Sequence, residues 1–273
     1  KFSLFKITKI DFLLTMNLPY TRISGGANKS NKCLVEEIAK LGHNVKVVTP
    51  ALAVPSEINH EELLINLSRS GIKVQIKDTK YIFVINNVEV HAVIKSSDLR
   101  TELQQEIRNY NPDWIFVSSE DPSQLLLKSV LELNTDNVIY LAHTPQMLPF
   151  GNESMYPGKK RMNLINNVKE IVTISNYVAD YIKESTNLNV FVNHPPHYGA
   201  TIPKNLGNIE NKYVLMINPC AVKGISILME LTKILPDIKF AVVPSWGTTE
   251  LDRVALKGIP NITFFNSTAD LDS

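Results

Sequence analysis

Residues Ser24 to Pro50 read SGGANKSNKCLVEEIAKLGHNVKVVTP, and their order decides the fold. An apolar run before them, Ile10 to Met16 (IDFLLTM), has the pattern of a buried strand. Ala27, Leu34, Ile38 and Leu41 then recur at helical spacing, and Gly42 stands where a left-handed C-terminal cap belongs. NVKVVTP, closed by Pro50, is the next strand. Strand, glycine turn, helix and strand make a parallel βαβ unit. The pair Gly25-Gly26 gives up the most backbone freedom on ordering. Its place between strand and helix therefore marks a sharp turn or a close approach of something to the backbone.

Working outward, residues Ile72 to Ile94 carry three short β-like runs, IKVQI, YIFVI and VEVHAVI. Leu99 to Tyr110 is helical and DWIFVSS is a strand. Pro122 is placed to open a helix, PSQLLLKSVLEL, before the strand NVIYLAH. A loop from Thr144 to Pro157 leads to a helix near Lys159 to Val168, and the strands EIVTIS and NVFVN flank the helix NYVADYIKE. Such alternation implies a parallel sheet with helices on both faces. Periodicity fails at His194 to Asn211, HPPHYGATIPKNLGNIEN, where Pro, Gly and Asn crowd together as they do in a linker. A second alternation follows: KYVLMI, a helix carrying Ile225, Leu228, Met229 and Leu235, then IKFAVV, a short helix and ITFF. The expected organisation is α/β throughout, with a first domain at 1–193, a linker at 194–211, and the first half of a doubly wound domain at 212–273.

The chain has 28 basic and 27 acidic residues among 273, for a net charge of +1. This balance gives no concentrated basic face for tracking a polyanion, so no nucleic-acid partner is expected. Lys6, Lys9 and Asp11 interrupt the apolar opening, which therefore lacks the core of a secretory signal. No stretch approaches the roughly 20 apolar residues of a spanning helix. Cys33 and Cys220 lie in different expected domains, which favours reduced thiols. Together these features predict a cytoplasmic protein, either free or peripheral at the inner membrane face.

Ligands of open α/β sheets bind beyond the carboxyl ends of the strands. Gly25 and Gly26 lie there and open a helix, where backbone N–H groups and the helix dipole suit a phosphate or a sugar hydroxyl. The third glycine of a dinucleotide fingerprint is missing, and a tight turn without ligand explains the same pair. His143 ends its strand in YLAHTPQ, suited to proton transfer or hydrogen bonding, or to bonding a nearby carbonyl as a structural residue. In NPCAVKG, Lys223 precedes Gly224 and a helix, where an ammonium can meet a diphosphate; a solvated lysine is the plainer reading. PSWG, Pro244 to Gly247, ends another strand. His194 and His197 beside prolines make no metal site, and no nucleophile elbow, P-loop or zinc signature occurs.

In order and spacing these segments resemble the GT-B-fold retaining glycosyltransferases that use nucleotide-sugar donors, of the family 4 type. The resemblance rests on FLLTMNLPYTRISGGANKSNKCLVEEIAKLGHNVKVVTP, YLAHTPQ, IVTISNYVADYI and LMINPCAVKGISILMELTKILPDIKFAVV, and runs over essentially the whole chain. It implies two Rossmann-like domains, with Gly25, Gly26, His143 and Lys223 facing the cleft between them. Gly25 and Gly26 match a loop that faces the donor's phosphate and sugar. His143 matches a histidine that contacts the transferred sugar, and Lys223, followed by Gly224, matches the lysine that neutralises the departing diphosphate. Asn218 stands where many members carry an arginine, leaving one positive charge fewer.

The implied substrates are a nucleoside-diphosphate sugar and an acceptor that is a glycan, a lipid or a small molecule, with no cofactor and no metal. The family's Glu-x7-Glu pair has no counterpart before Ser273, so a fragment lacking part of the donor site, and without activity, is expected. A GT-B-like nucleotide-sugar epimerase and a non-catalytic two-domain binding protein are the alternatives.

Overall fold

The structure is a computed structural model that describes residues 8–21, 25–54, 56, 58–133, 136–195, 205 and 207–266. The chain divides into two compact units, Lys1–Thr201 and Ile202–Ser273. Residues 196–204 and 206, more than half of the stretch expected to link them, lie outside the described residues.

The first unit begins with β1 (Asp11–Thr15), α1 (Gly26–Lys40) and β2 (Asn44–Pro50), the expected βαβ. Next come α2 (His60–Arg69), β3 (Gln75–Ile76), β4 (Lys80–Ile85), β5 (Val88–Val93) and α3 (Leu99–Tyr110). The remainder is β6 (Trp114–Ser118), α4 (Leu125–Leu131), β7 (Val138–Ala142), α5 (Lys159–Ile165), β8 (Glu170–Thr173), α6 (Asn176–Ser185) and β9 (Val190–Val192). Nine strands form one sheet in the order β3-β4-β5-β2-β1-β6-β7-β8-β9.

Side chains alternate across this sheet as the strand period requires. Leu13, Val48, Ile115, Val117 and Tyr140 pack on one face under α3, α4, α5 and α6. Leu14, Val47, Phe116 and Leu141 pack on the other face under α1 and α2. With both faces covered, strands β5 to β9 run parallel, as in doubly wound proteins.

Four details differ from the sequence expectation. Helix α2 was not anticipated; Asn59 and Glu62 start it by bonding each other's backbone N–H, at 2.9 Å each. The strands β3 and β4 pair antiparallel, not parallel. Asn86 and Asn87, with φ of 49° and 65°, turn the chain tightly between β4 and β5, a turn that only antiparallel neighbours can use. Pro122 does not open a helix: Gln124 takes a left-handed φ of 54°, and α4 starts after it. Leu41 is exposed, and the inner stripe of α1 includes Asn28, Ser30 and Asn31 beside Val35 and Ala39.

The second unit comprises β10 (Val214–Ile217), α7 (Ile225–Ile234), β11 (Phe240–Val243), α8 (Glu250–Lys257) and β12 (Ile262–Phe264). Its three strands are parallel in the order β10-β11-β12. Ile225 and Leu228 of α7 and Leu256 of α8 pack on Phe240 and Val242 of β11, making one small core.

Candidate functional site

At the carboxyl edge of the first unit, β1 leads to Gly25, whose φ of 96° is strained for any residue with a side chain. Gly26 has no such φ, and a Cβ at either position would meet nothing within 4 Å. Packing therefore does not demand the second glycine. Gly25 caps α1 without a side-chain hydrogen bond, and the first turn of α1 carries no acidic residue. The helix thus presents its first N–H groups to whatever occupies the space ahead of them.

Behind this turn the inner stripe of α1 is polar where apolar residues are expected. Asn31 is 1% exposed and its Nδ2 donates to Ser118 Oγ, at the end of β6, over 2.9 Å. Among the described residues its Oδ1 has no donor. Leaving a buried acceptor unmet costs roughly 1–3 kcal/mol, so this oxygen is open to a donor from the pocket it lines.

His143 directly follows β7 and is 3% exposed. Its backbone N–H donates to Ser119 Oγ at 3.1 Å, and its Nδ1 lies 3.3 Å from the same oxygen. Glu120 Oε1 lies 3.5 Å from Ser119 Oγ and 4.0 Å from His143 Nδ1. Burial pushes the Glu120 carboxyl above its ordinary range, against the opposing hydrogen bond from Ser119. Ser119 has one proton to give, and its two neighbours compete for it, which couples the imidazole's tautomer to the carboxyl. Asn31 and His143, with Ser30, Cys33, Glu37 and Asn193, line a pocket of about 180 Å³.

In the second unit the carboxyl edge of β10 is held by Asn218, at φ 59° and buried. Its Oδ1 accepts from Gly247 N at 2.9 Å and Thr248 Oγ1 at 3.3 Å, tying the turn after β11 to the end of β10. A Cβ at Gly247 would lie 3.0 Å from Cys220 Sγ, so a side chain there would have to push Cys220 and Asn218 aside by a few tenths of an ångström. Lys223 is exposed on the short 3-10 turn Ala221–Lys223. Gly224, at φ 84°, ends that turn and opens α7. The asparagine that stands in for an expected arginine thus uses its oxygen to position a loop.

Within the first unit the structure brings His143 together with Asn31 on one pocket, and it sets Gly25 and Gly26 at the helix end of the same sheet edge. In the second it brings Asn218, Lys223 and Gly224 to the end of one strand. Sequence reasoning missed Asn31, Ser118, Ser119 and Glu120. The serines and the glutamate end β6 as His143 ends β7, so the strand-end rule applied to DWIFVSSE would have found them.

Two α/β units, each presenting polar groups and helix N-termini at the carboxyl ends of parallel strands, constitute the GT-B fold. Solved structures that share it include the catalytic domain of Arabidopsis thaliana starch synthase IV bound to ADP and acarbose. The TM-score is 0.59 at 9% identity, over 96% of this chain and 75% of that one. The UDP-N-acetylglucosamine 2-epimerase of Rickettsia bellii aligns at 0.53 and 14% identity, over 96% and 70% of the respective chains. An E. coli trehalose-6-phosphate structure bound with UDP-2-fluoro glucose aligns at 0.51 and 9% identity, over 95% and 74%. No curated protein matches the chain in sequence. Residues 24–193, more than half of the chain, match the profile of Glycosyltransferase Family 4, and the chain belongs to that family.

Proposed function

We propose that the protein transfers a sugar from a nucleoside-diphosphate donor to an acceptor hydroxyl, with retention at the anomeric carbon. The observation that carries this reading is the buried pair Asn31 and His143, both within the family-matched segment and lining one pocket. The donor is a nucleoside-diphosphate sugar of the kind represented by the ADP and UDP compounds bound in the starch synthase and E. coli structures. In this reading residues 212–273 bind the nucleotide side of the donor, and 194–211 connect them to the acceptor-side domain at 1–193.

The reaction breaks the bond between the anomeric carbon and the diphosphate oxygen and forms one to the acceptor oxygen; the acceptor's proton leaves with the diphosphate. Negative charge grows on the leaving group, and preorganised donors there are worth more than in water. Lys223 supplies a full charge, while Gly224 frees the N-terminus of α7 to approach closely. Gly25 and Gly26 do the same for α1, and Asn218 fixes the strand end from which Lys223 projects. His143 and Asn31 bond the sugar, whose hydroxyls supply the donor that Asn31 Oδ1 lacks. The epimerase likeness is one of fold and adds no second reading.

The test is a transfer assay on the protein expressed from its complete reading frame, with UDP- and ADP-sugars and hydroxylated acceptors, beside calorimetry with the free nucleoside diphosphates. Product is expected only when acceptor is present. Lys223→Ala is expected to lose ~2–4 kcal/mol of transition-state stabilisation. His143→Ala is expected to cut transfer about 100-fold while leaving nucleotide affinity within about twofold, since roughly 2.7 kcal/mol of barrier is a factor of 100. Conversion of the donor to its epimer without acceptor would replace this reading with the isomerase one.

A further inference from the structure

Helix α1 separates two pockets in the first unit. Ser30, Asn31, Cys33 and Glu37 face the pocket that holds His143. Lys32, on the same helix, faces a second pocket of about 350 Å³ between the ends of β1 and β2 and helix α2. Its floor is aliphatic: Ala51, Leu63 and Leu67 are buried, with Leu52, Ile72 and Ile85 around them. None of the described lining residues is aromatic. Of the polar ones, Ser56, Asn66 and Ser70 are exposed, as is Ile58, and Thr21 is half-buried.

Such a floor selects against a bare sugar. Hydroxyls seated on it would give up water without finding partners. An alkyl chain behaves in the opposite way, because each buried methylene favours binding by roughly fourfold. Lys32 is the only charged residue among the described lining residues. Its ammonium sits 5.2 Å above the centre of the Tyr20 ring and 3.9 Å from Glu36 Oε1. The Tyr20 hydroxyl donates to that same oxygen at 3.1 Å, so ring and carboxylate together hold the ammonium in place. The Glu36 charge is shared between two donors, which leaves the ammonium able to accept an anionic partner.

We propose that this pocket binds the acceptor, and that the acceptor is an amphipathic anion: an aliphatic chain lies on the Ala51, Leu63 and Leu67 floor and its anionic group meets Lys32. The assignment of this ligand as the acceptor rests on the glycosyl-transfer reading; the pocket's selectivity does not. The chain is held on one side of α1, and the hydroxyl to be glycosylated extends past the helix toward His143.

The experiment measures binding of hexyl, octyl and decyl phosphate by calorimetry, below their micelle concentrations, with inorganic phosphate and decanol as controls. Affinity is expected to rise at least tenfold from hexyl to octyl phosphate, with inorganic phosphate binding far more weakly than either. Asn66→Trp and Ala53→Trp, two independent ways to fill the mouth, are each expected to weaken decyl phosphate tenfold or more while the circular dichroism melt stays unchanged. Lys32→Gln is expected to weaken decyl phosphate about fivefold and leave decanol unaffected. Affinity independent of chain length, or undiminished in both tryptophan variants, overturns the proposal. Chain-length-dependent binding in a protein that transfers no sugar keeps the pocket and removes only its role as the acceptor site.

Discussion

The two units spend their apolar residues differently. In the first, adjacent residues of one strand serve two cores: Leu13 packs under α3 to α6 and Leu14 under α1 and α2, both fully buried. In the second, Met216 faces the small core of α7 and α8, while its neighbours Leu215 and Ile217 on the opposite face are 58% and 56% exposed. The difference shows what a doubly wound sheet requires: a strand with apolar residues on both faces is stable only when helices cover both. The second unit also exposes Ile227 and Ile234 of α7 and Leu251 and Val254 of α8. Its strands are as apolar as those of the first, but β10 exposes the face that points away from α7 and α8.

The comparison is sharpened most by amide hydrogen exchange. Core amides of the first unit, such as those of Leu14 and Val117, are expected to exchange through global opening, at several kcal/mol or more. Those of Val242 and Phe240 should exchange through an opening of the second unit alone, because a piece of that size is marginal as an independent core. Limited proteolysis is expected to remove the second unit while the first persists. Equal protection in both units would break the comparison.

A smaller effect comes from substituting matched leucines. Leu14→Ala removes a fully buried side chain from between sheet and helix and is expected to cost about 3–5 kcal/mol. Leu215→Ala, on the exposed face of β10 away from α7, is expected to change stability by about 0.5 kcal/mol or less. Urea midpoints of the two variants measure both. A large loss at Leu215 would mean that its face is covered in solution.

These contrasts also explain what could be read from the sequence. The first βαβ unit and α3 were legible because apolar periodicity and a glycine cap agreed with local preference. Helix α2 was not, although Asn59 and Glu62 spell its start, because Leu63, Leu64 and Leu67 give only a short apolar pattern. The direction of β3 and β4 was hidden because period-2 runs look the same whichever way they pair. In the candidate site, His143, Gly25 and Gly26 were visible by position alone. Asn31 was not: an asparagine between lysines reads as surface until tertiary packing turns it inward against Ser118. Asn218 was legible as a strand-end residue, but its bond to Gly247 joins residues far apart in sequence and only the fold shows it.

The smallest expected effect separates the units by their charges. The first unit buries a network on β2, β4, β5 and α3. Lys46 Nζ lies 2.9 Å from Glu106 Oε2 and 3.3 Å from Glu89 Oε1, and Lys80 Nζ lies 2.8 Å from Glu102 Oε2 and 2.6 Å from Glu106 Oε1. His91 completes it, with Nε2 2.8 Å from Glu89 and Nδ1 3.1 Å from Glu106. Protonated, His91 gives three positive charges to three carboxylates. Burial alone would lower its pKa, but the hydrogen bonds to Glu106 and Glu89 prevail and raise it above 6.5. The hydrogen bond from His91, working against burial, brings Glu89 down to about 2. Burial opposes the shift of Glu106 too, and bonds from His91, Lys80 and Lys46 overcome it and hold its carboxyl well below the usual range.

By linkage, the histidine's contribution is fully present below pH 6.5 and is lost as pH rises through its higher folded value. The carboxylates' contribution is present above about 4.5 and is lost as pH falls toward their depressed values. The first unit should therefore be most stable between these limits. Among the described residues the second unit offers only exposed helical pairs, Lys233–Glu230 and Arg253–Glu250, which add little at any pH. Urea denaturation followed by exchange at pH 5.5 and pH 8.5 is expected to show the first unit losing stability at the higher pH and the second unchanged. His91→Gln should abolish that slope. A slope that survives the substitution would place the titrating group elsewhere, and a slope of equal size in both units would show that this network does not distinguish them.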